Sequence, residues 1–291
     1  MKGIVFINAY SDMKDMLYGA ERLKAEFAKR GVSLEIRRND LYAVRVSDTL
    51  QCDLQGYDFC IYLDKDKYVL QGIEKSGIPL FNSARAIEVC DDKMTTALAL
   101  AGQGIRMPLT LPAPLCYNGE AQISEQSLDK IEEALGYPLV VKKSYGSRGA
   151  GVYLVQNRAE LKAKSGELLC EPHLYQQFIS SSYGRDVRVI VIGGTVLGAM
   201  LRQSEGDFRS NVALGGRASN YELPGEAVTL CEKVAAVLGL DFCGIDLLFG
   251  DDGFYLCEVN SNAFFAGFER ATKKNVAGAY ADYILSKVSC Q

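Results

Sequence analysis

Apolar and polar positions alternate along the chain in two distinct styles, and the change of style marks a boundary. Gly3-Ile4-Val5-Phe6-Ile7-Asn8 is an apolar run that reads as a strand buried on both faces. Ala20, Leu23 and Phe27 then recur at helical spacing, which predicts a helix over about 18–30 ended by Gly31. Leu34-Glu35-Ile36 and Phe59-Cys60-Ile61-Tyr62-Leu63 read as further strands, a helix is expected over 68–75, and Ile78-Pro79-Leu80-Phe81 follows. Strands alternating with helices predict a parallel βαβ sheet over roughly the first 85 residues. The first turn, Asn8-Ala9-Tyr10-Ser11, lacks the glycines of a dinucleotide fingerprint, which argues against a Rossmann oxidoreductase.

The next stretch, 87–101, reads as one helix, and the Pro and Gly residues from Leu111-Pro112-Ala113-Pro114 to Gly119 read as a linker or exposed loop. A helix is expected over 127–135. From Tyr137 the pattern becomes strand, Gly-rich turn, strand: Leu139-Val140-Val141, then 144–151, then Val152-Tyr153-Leu154-Val155. A new domain is therefore placed near residue 90. Strands are expected at 187–192, 196–202, 243–249 and 254–259, with helices over 226–238 and 276–287.

Composition narrows the classes. The 291 residues are 48% hydrophobic and 23% charged, an ordinary globular balance. A formal net charge of -4 argues against nucleic acid as the main partner. The nine cysteines are scattered with no C-x-x-C, so neither a disulfide scaffold nor a structural zinc site is expected. The single histidine, His173, is expected to be structural or on the surface, which removes His-based triads. No secretory signal and no bilayer-length apolar run is visible, so the expected address is cytoplasmic, with no membrane partner.

Against that background a few polar residues stand out. Asp246 lies inside the apolar run Gly244-Ile245-Asp246-Leu247-Leu248-Phe249, and Glu258 and Asn260 end the next one. Side chains alternate along a strand, so Glu258 and Asn260 share a face, and a hairpin turn at 250–253 brings Asp246 close to them. Two carboxylates and an amide oxygen are hard donors suited to Mg²⁺. Solvated strand-end acids are the plainer reading, but acids inside apolar runs are costly without partners. Asp251 and Asp252 read as turn residues.

The loop Ser144-Tyr145-Gly146-Ser147-Arg148-Gly149-Ala150-Gly151 lets backbone approach an anion closely, as a phosphate lid would, or is simply a flexible hairpin. Lys142 ends a strand just before it, with Lys143 on the opposite face, and Lys93 follows Asp91-Asp92 on a helix. Arg188 and Arg202 lie on apolar strands, as clamps for carboxylate or phosphate or as partners of nearby acids.

In their order, these pieces resemble the ATP-grasp superfamily, and within it the RimK-type α-L-glutamate (carboxylate–amine) ligases. The resemblance rests on Asp92-Lys93, Val140-Val141-Lys142, Gly146 to Gly151, Gln176-Gln177-Phe178-Ile179, Asp186-Val187-Arg188, Arg202 with Glu205 to Asn211, Gly215-Gly216, Asp246 and Glu258-Val259-Asn260. It implies an α/β fold with an α+β C-terminal part: an N-terminal parallel-sheet domain (1–88), a central lid domain (89–180) and a C-terminal antiparallel-sheet domain (181–291). It also implies ATP and Mg²⁺ (or Mn²⁺), with a pair of ions held by Asp246, Glu258 and Asn260. Lys93, Lys142, Gly146, Ser147, Gly149, Gly151 and Arg209 would serve the phosphates. Gln176, Gln177, Phe178 and Ile179 would form a hinge strand reading adenine, with Asp186 toward the ribose, while Arg188, Arg202 and Asn211 act on the reacting groups.

The implied chemistry is ATP-dependent amide formation between small-molecule or peptide carboxylates and amines through an acyl phosphate, releasing ADP and phosphate. A non-catalytic nucleotide-binding module on the same fold is the alternative, and self-association is left open. The chain departs from the family after Asn260, where Ser261-Asn262-Ala263-Phe264-Phe265 replaces a Pro-Gly turn. This predicts that Phe264 or Phe265 borders the acceptor end of the cleft, with core packing as the alternative, and that the preferred substrate carries an apolar group, unlike glutamate.

Overall fold

A computed structural model describes residues 1–11, 14–147, 149–210 and 216–289. The chain opens with strand β1 (Lys2–Ile7), helix α1 (Lys14–Lys29) and strand β2 (Ser33–Arg38). A small hairpin, β3 (Val44–Val46) and β4 (Leu50–Cys52), precedes β5 (Phe59–Tyr62), α2 (Lys67–Lys75) and β6 (Leu80–Phe81). The sheet is parallel with order β2-β1-β5-β6. Its central strand is covered on both sides: Val5 packs with α1 through Ala20, Leu23 and Phe27, while Ile4 and Phe6 pack with α2 through Leu70 and Ile73. Burial on both faces is what makes β1 an unbroken apolar run.

The single helix expected over 87–101 is two helices, α3 (Ala84–Asp91) and α4 (Lys93–Leu100). Asp92 breaks them apart because its backbone is extended and its carboxylate accepts from the N–H groups of Met94 and Thr95, at 2.7 and 3.0 Å. Apolar periodicity runs through the break and so conceals it. This pair bridges two cores. Ile87 packs under the first sheet, whereas Ala86, Cys90, Leu100 and Ile105 join the core of the C-terminal sheet.

The central sheet is formed by β7 (Thr110–Pro112), β8 (Leu139–Lys143), β9 (Val152–Val155) and β10 (His173–Gln177), in the order β7-β10-β8-β9 and antiparallel throughout. Helices α5 (Glu125–Leu135) and α6 (Arg158–Leu168) cover it through Leu128, Ile131, Leu161 and Leu168. The segment expected as linker thus begins as an edge strand; Pro112 is tolerated there because an edge strand need not donate on its outer side. His173 is structural, its ring nitrogens bonded to the Glu171 carbonyl at 2.8 Å and the Tyr175 hydroxyl at 3.0 Å.

The C-terminal sheet comprises β11 (Arg185–Ile192), β12 (Thr195–Gln203), β13 (Arg217–Tyr221), β14 (Phe242–Gly250) and β15 (Gly253–Asn260), in the order β13-β12-β11-β14-β15 and antiparallel. Helix α7 (Gly225–Leu238) covers one face, with Val187, Val189, Val191, Cys243, Ile245 and Leu247 beneath it. On the other face Ile190, Ile192, Met200 and Phe242 pack with α8 (Ala266–Thr272), α9 (Val276–Val288) and the N-terminal helix α1. The first and last parts of the chain therefore share one core.

Two polar ties reinforce that union. Asn82 is buried, donating to the carbonyls of Phe242 and Ser261 at 2.8 Å and accepting from the Phe242 N–H at 2.9 Å. Arg30, just past the end of α1, binds Asp282 on α9 through two hydrogen bonds of 2.6 and 2.8 Å. Among the described residues no helix is long and apolar enough to cross a membrane.

Candidate active site

Strand alternation builds the site. On the face of the C-terminal sheet that carries Ile190, Ile192, Met200 and Phe242, the same parity continues toward the opposite strand ends as Asp186 and Arg188 on β11, Arg202 on β12 and Asp246 on β14. Register pairs Asp186 with Arg202, Arg188 with Asp246, and Asp246 with Glu258. A β-bulge between Asp246 and Leu247 inserts Cys257 as an extra residue. Leu256 and Val259 can therefore both lie in the apolar core while Glu258 and Asn260 stay on the charged face.

The charges are tightly matched. Arg202 Nε and Nη2 donate to Asp186 at 2.7 and 2.6 Å, and Nη2 also lies 3.0 Å from Asp246 Oδ2. Arg188 clamps Asp246 from the other side through Nε and through Nη2 at 2.7 Å. Gly244 makes room for that arm, since a Cβ there would lie 3.1 Å from Arg188 Cδ and 2.6 Å from the Ala263 Cβ. Burial alone would push the Asp246 carboxyl up, but its two guanidinium partners outweigh it and hold it below the usual carboxylate range. Asp186, with one guanidinium partner, is pushed up by burial. Arg202 is raised, because the two carboxylates overcome the effect of its own burial.

The Gly-rich turn faces this cluster from the central sheet. Gly146, Gly149 and Gly151 adopt φ of 137°, 78° and 73°, which favour glycine, and a Cβ on Gly151 would collide with the Lys143 side chain at 2.8 Å. The base of the turn is tied down: the Lys143 N–H donates to the Gly151 carbonyl at 2.8 Å, and the Lys93 N–H to the Ser144 carbonyl at 3.0 Å. Helix α4 thus presents its first residue to the turn. Lys93 Nζ donates to the Gly146 carbonyl at 3.0 Å and lies 3.5 Å from Glu258. Arg209 reaches the Gly149 carbonyl at 3.0 Å while paired with Asp207.

Between turn and sheet lies a cleft. It is lined by Lys93, Lys142, Gly146, Ser147, Gly149, Gln176, Gln177, Phe178, Ile179, Asp186, Arg202, Arg209, Asp246 and Glu258, all expected from the sequence. Lys142 is buried, with Nζ 3.9 Å from Cys257 Sγ, whereas Lys143 turns away to pair with Glu171. A second, open cleft begins where the first ends. It shares Gly146, Ser147, Arg202, Asp246 and Glu258 and continues past Arg188, Asn260, Phe264 and Arg270.

One boundary is corrected, and the other expected residues are placed as follows. The hinge strand ends at Gln177, so Phe178 and Ile179 lie beyond β10, where the chain turns toward a short helical turn at Ser180–Ser182. Asp186 lines the cleft, but its carboxylate is committed to Arg202. Arg188 is absent from the first cleft and opens on the second, its guanidinium engaged by Asp246. Gly151 supports the turn from outside the first cleft. Of the aromatic pair, Phe264 lines the second cleft, while Phe265 is buried in the core against Phe242. Asp252 pairs with Arg106 at 2.6 Å. Arg148, Asn211 and Gly215 lie outside the described residues.

Sequence reasoning missed Cys257, Ser182, Ser210 and Leu248, which also line the first cleft. Cys257 could have been found only from the bulge, because on a regular strand it would face the apolar core with Val259.

Asp246, Glu258 and Asn260 are the residues here that could hold a divalent cation. The set fits hard-cation chemistry, with two carboxylates and an amide on adjacent register positions. The Asn260 Nδ2 is buried without a hydrogen-bond partner, so the donor side of this amide is unmet within the protein.

A small central sheet closing a Gly-rich turn over an antiparallel sheet defines an ATP-grasp fold. The structure of the ATP-grasp ligase PsnB complexed with minimal precursor, Mg and ADP superposes on it with a TM-score of 0.72, at 19% identity, over 98% of this chain and 97% of that one. The RimK-like ATP-grasp domain model matches residues 90–284, and the chain belongs to that family. Human N-acetylaspartylglutamate synthase A is 40% identical over 226 residues, 77% of this chain and 56% of that protein. The chain thus spans little more than half the length of that relative. The probable alpha-L-glutamate ligase 1 of Hahella chejuensis is 32% identical over 296 residues, covering 93% of this chain and 92% of that protein.

Proposed function

We propose that the chain is an ATP-dependent carboxylate–amine ligase that forms an amide or peptide bond through an acyl phosphate. One observation carries this reading: the charged cluster sits at the junction of two clefts, the first lined by the Gly-rich turn, Lys93 and Lys142, so a group bound in one abuts a group bound in the other. A carboxylate is a poor electrophile because oxide would have to leave. Transfer of the γ-phosphoryl group of ATP to a carboxylate oxygen makes phosphate the leaving group. Attack by an amine on that acyl carbon then forms the amide and releases phosphate, leaving ADP in the first cleft.

The residues divide the work. Lys93 and Lys142, with the backbone N–H groups of Gly146, Ser147 and Gly149, hold the phosphates. Mg²⁺ (or Mn²⁺), when bound by Asp246, Glu258 and Asn260, neutralises charge shared between the β- and γ-phosphates; room for a pair of ions is part of the proposal. Arg188 and Arg202 balance Asp186 and Asp246 in the structure as it stands. Both arginines also open on the second cleft, where a guanidinium would donate to the oxygen on which charge develops. Gln176, Gln177, Phe178 and Ile179 line the end of the cleft suited to the base. Phe264 contributes an apolar wall on the acceptor side, which favours a substrate with an apolar group.

The test is a screen of amino acids and peptides, in pairs, for release of ADP and phosphate. ADP and phosphate appearing together with an amide product supports the reading. AMP and pyrophosphate instead mean adenylation, and tight ATP binding without turnover across the screen means a regulatory nucleotide-binding module.

A further inference from the structure

The N-terminal sheet brings a carboxylate, Asp64, to the second cleft. In the order β2-β1-β5-β6 the chain leaves β1 to one side for β2 and returns on the other side at β5, so its winding reverses between β1 and β5. In open parallel sheets ligands bind outside the carboxyl ends of the strands at such a reversal. Asn8 follows β1 there, Asn39 follows β2, and Asp64 stands two residues past β5. The two amides fix the carboxylate, Asn8 Nδ2 donating to Asp64 Oδ2 at 2.6 Å and Asn39 Nδ2 at 3.2 Å. Backbone holds each amide in turn: Asn8 Oδ1 accepts from the Tyr10 N–H at 2.8 Å, and Asn39 Oδ1 from the Ala9 N–H at 2.9 Å. Both donors fall on one oxygen, and Asp64 Oδ1 has no partner among the described residues. The loop is tied to the reaction site on two sides. Asn262 Nδ2, two residues past Asn260, donates to the Asp64 carbonyl at 2.6 Å, and Lys65 pairs at 2.7 Å with Asp91, two residues before Lys93. Asp91, Asp246 and Glu258 line the same cleft and have cations in Lys65, Arg188 and Lys93, whereas Asp64 has none among the described residues. Arg188, Arg202 and Arg270 draw a carboxylate or a phosphate into this cleft, while an ammonium ion is drawn to Asp64.

We propose that Asp64 is the catalytic residue for the amine: it binds the incoming amine as its ammonium ion and takes a proton from it. This inference rests on the ligase reading and names the group on which the second substrate docks. The ammonium donates to Asp64 Oδ1 and passes one proton to that oxygen. The freed nitrogen lone pair attacks the acyl carbon and the C–N bond forms. The C–O bond to the phosphoryl group breaks, with its electron pair going to the departing phosphate. The nitrogen then loses its surplus proton to the phosphate, and Asp64 returns the first proton to solvent. The substrate class that follows is an aliphatic primary amine that is an ammonium ion at neutral pH, such as the α-amino group of an amino acid or peptide.

The experiment uses hydroxylamine, which is mostly uncharged at neutral pH and captures an acyl phosphate as a hydroxamate without an anion to bind or deprotonate it. Full-length wild type and Asp64→Asn are assayed with ATP, Mg²⁺ and a panel of N-acetyl amino acids, which carry a carboxylate but no ammonium. Each carboxylate is supplied once with free amino acids as the amine and once with hydroxylamine. In Asp64→Asn amide formation should fall at least ~10²-fold, as for loss of a positioned base, while hydroxamate formation and KM for ATP stay as in wild type. Asn8→Ala, which removes one of the two amides holding the carboxylate, should show the same split at smaller size, and it carries the test if Asp64→Asn does not fold. Equal losses in the two assays, or full amide formation by Asp64→Asn, would overturn the role of Asp64. Wild type that forms neither amide nor hydroxamate would overturn the ligase reading, and this assignment with it.

Discussion

Replacing Arg202 by Met removes one guanidinium from between two buried carboxylates and tests the cluster directly. Arg202 is 6% exposed, Asp186 is 7% and Asp246 is 4%. Met matches the length of the arm without its charge. Asp246 keeps its bidentate partner Arg188, but Asp186 loses the one guanidinium bonded to it among the described residues. Breaking a buried pair by deleting one partner costs about 3–5 kcal/mol, and with only one carboxylate orphaned the lower end applies, about 3 kcal/mol. The assay is urea unfolding of wild type, Arg202→Met, Asp186→Asn and the double variant.

Asp186→Asn in the Arg202→Met background should restore about 2 kcal/mol, because the buried charge is gone. The cost also depends on pH. Asp186 is already pushed up by burial and rises further without Arg202, so the native state resists losing its proton. The penalty is full above the folded pKa, shrinks as pH falls through it, and vanishes below the unfolded value near about 4. Arg202→Met should therefore lose more stability at pH 8 than at pH 5. Equal stability of wild type and Arg202→Met at pH 8 would refute the account of the cluster.

Glu258→Gln should lower ligase turnover by at least ~10²-fold, since one cation ligand loses its charge where phosphoryl transfer builds it; full turnover at low millimolar Mg²⁺ would remove Glu258 from the donor set. Phe264→Ala should raise KM for the substrate with little change in KM for ATP, a loss of about 1–3 kcal/mol, while Phe265→Ala should cost about 3–5 kcal/mol in unfolding free energy instead; the opposite pattern would reverse their places. Glu26 is buried among Lys29, Arg30 and Asn275, and its hydrogen bonds to Lys29 and Arg30 lower its pKa to about 2. Its contribution is present above the unfolded value near about 4.3 and is lost as pH falls toward 2, so Glu26→Gln should cost about 2 kcal/mol at pH 7 and nothing near pH 2, read by thermal unfolding across pH.

The local elements were legible where the chain needs only short-range rules. β1 is apolar throughout because both its faces are covered, α1 follows its apolar stripe, and the β14–β15 hairpin follows from two apolar runs around Gly250-Asp251-Asp252-Gly253. The charged residues inside apolar runs also announced themselves: Arg188, Arg202, Asp246 and Glu258 make sense only with partners, and they have them. Their order along the chain was enough to indicate the fold.

Which partner each one takes was decided in three dimensions. Arg202 could bind a ligand or an acid, and only the register of β11, β12 and β14 sets Asp186 and Asp246 on either side of it. The bulge at Cys257 shifts every later side chain of β15 by one position, which no period-of-two reading can see. The break at Asp92 hides inside a continuous apolar rhythm, because a single capping carboxylate costs the pattern nothing. Phe264 and Phe265 are chemically identical neighbours, and their fates part only because adjacent residues point in different directions at the start of α8. Asn82, an unremarkable residue between β6 and α3, becomes a buried tie to Phe242 and Ser261 because long-range packing brings those carbonyls to it. Periodicity and composition act over a few residues, so they determine elements and mark residues that demand partners. Pairings across more than a hundred residues are selected by close packing and by the need to satisfy every buried charge, and those conditions exist only once the chain is folded.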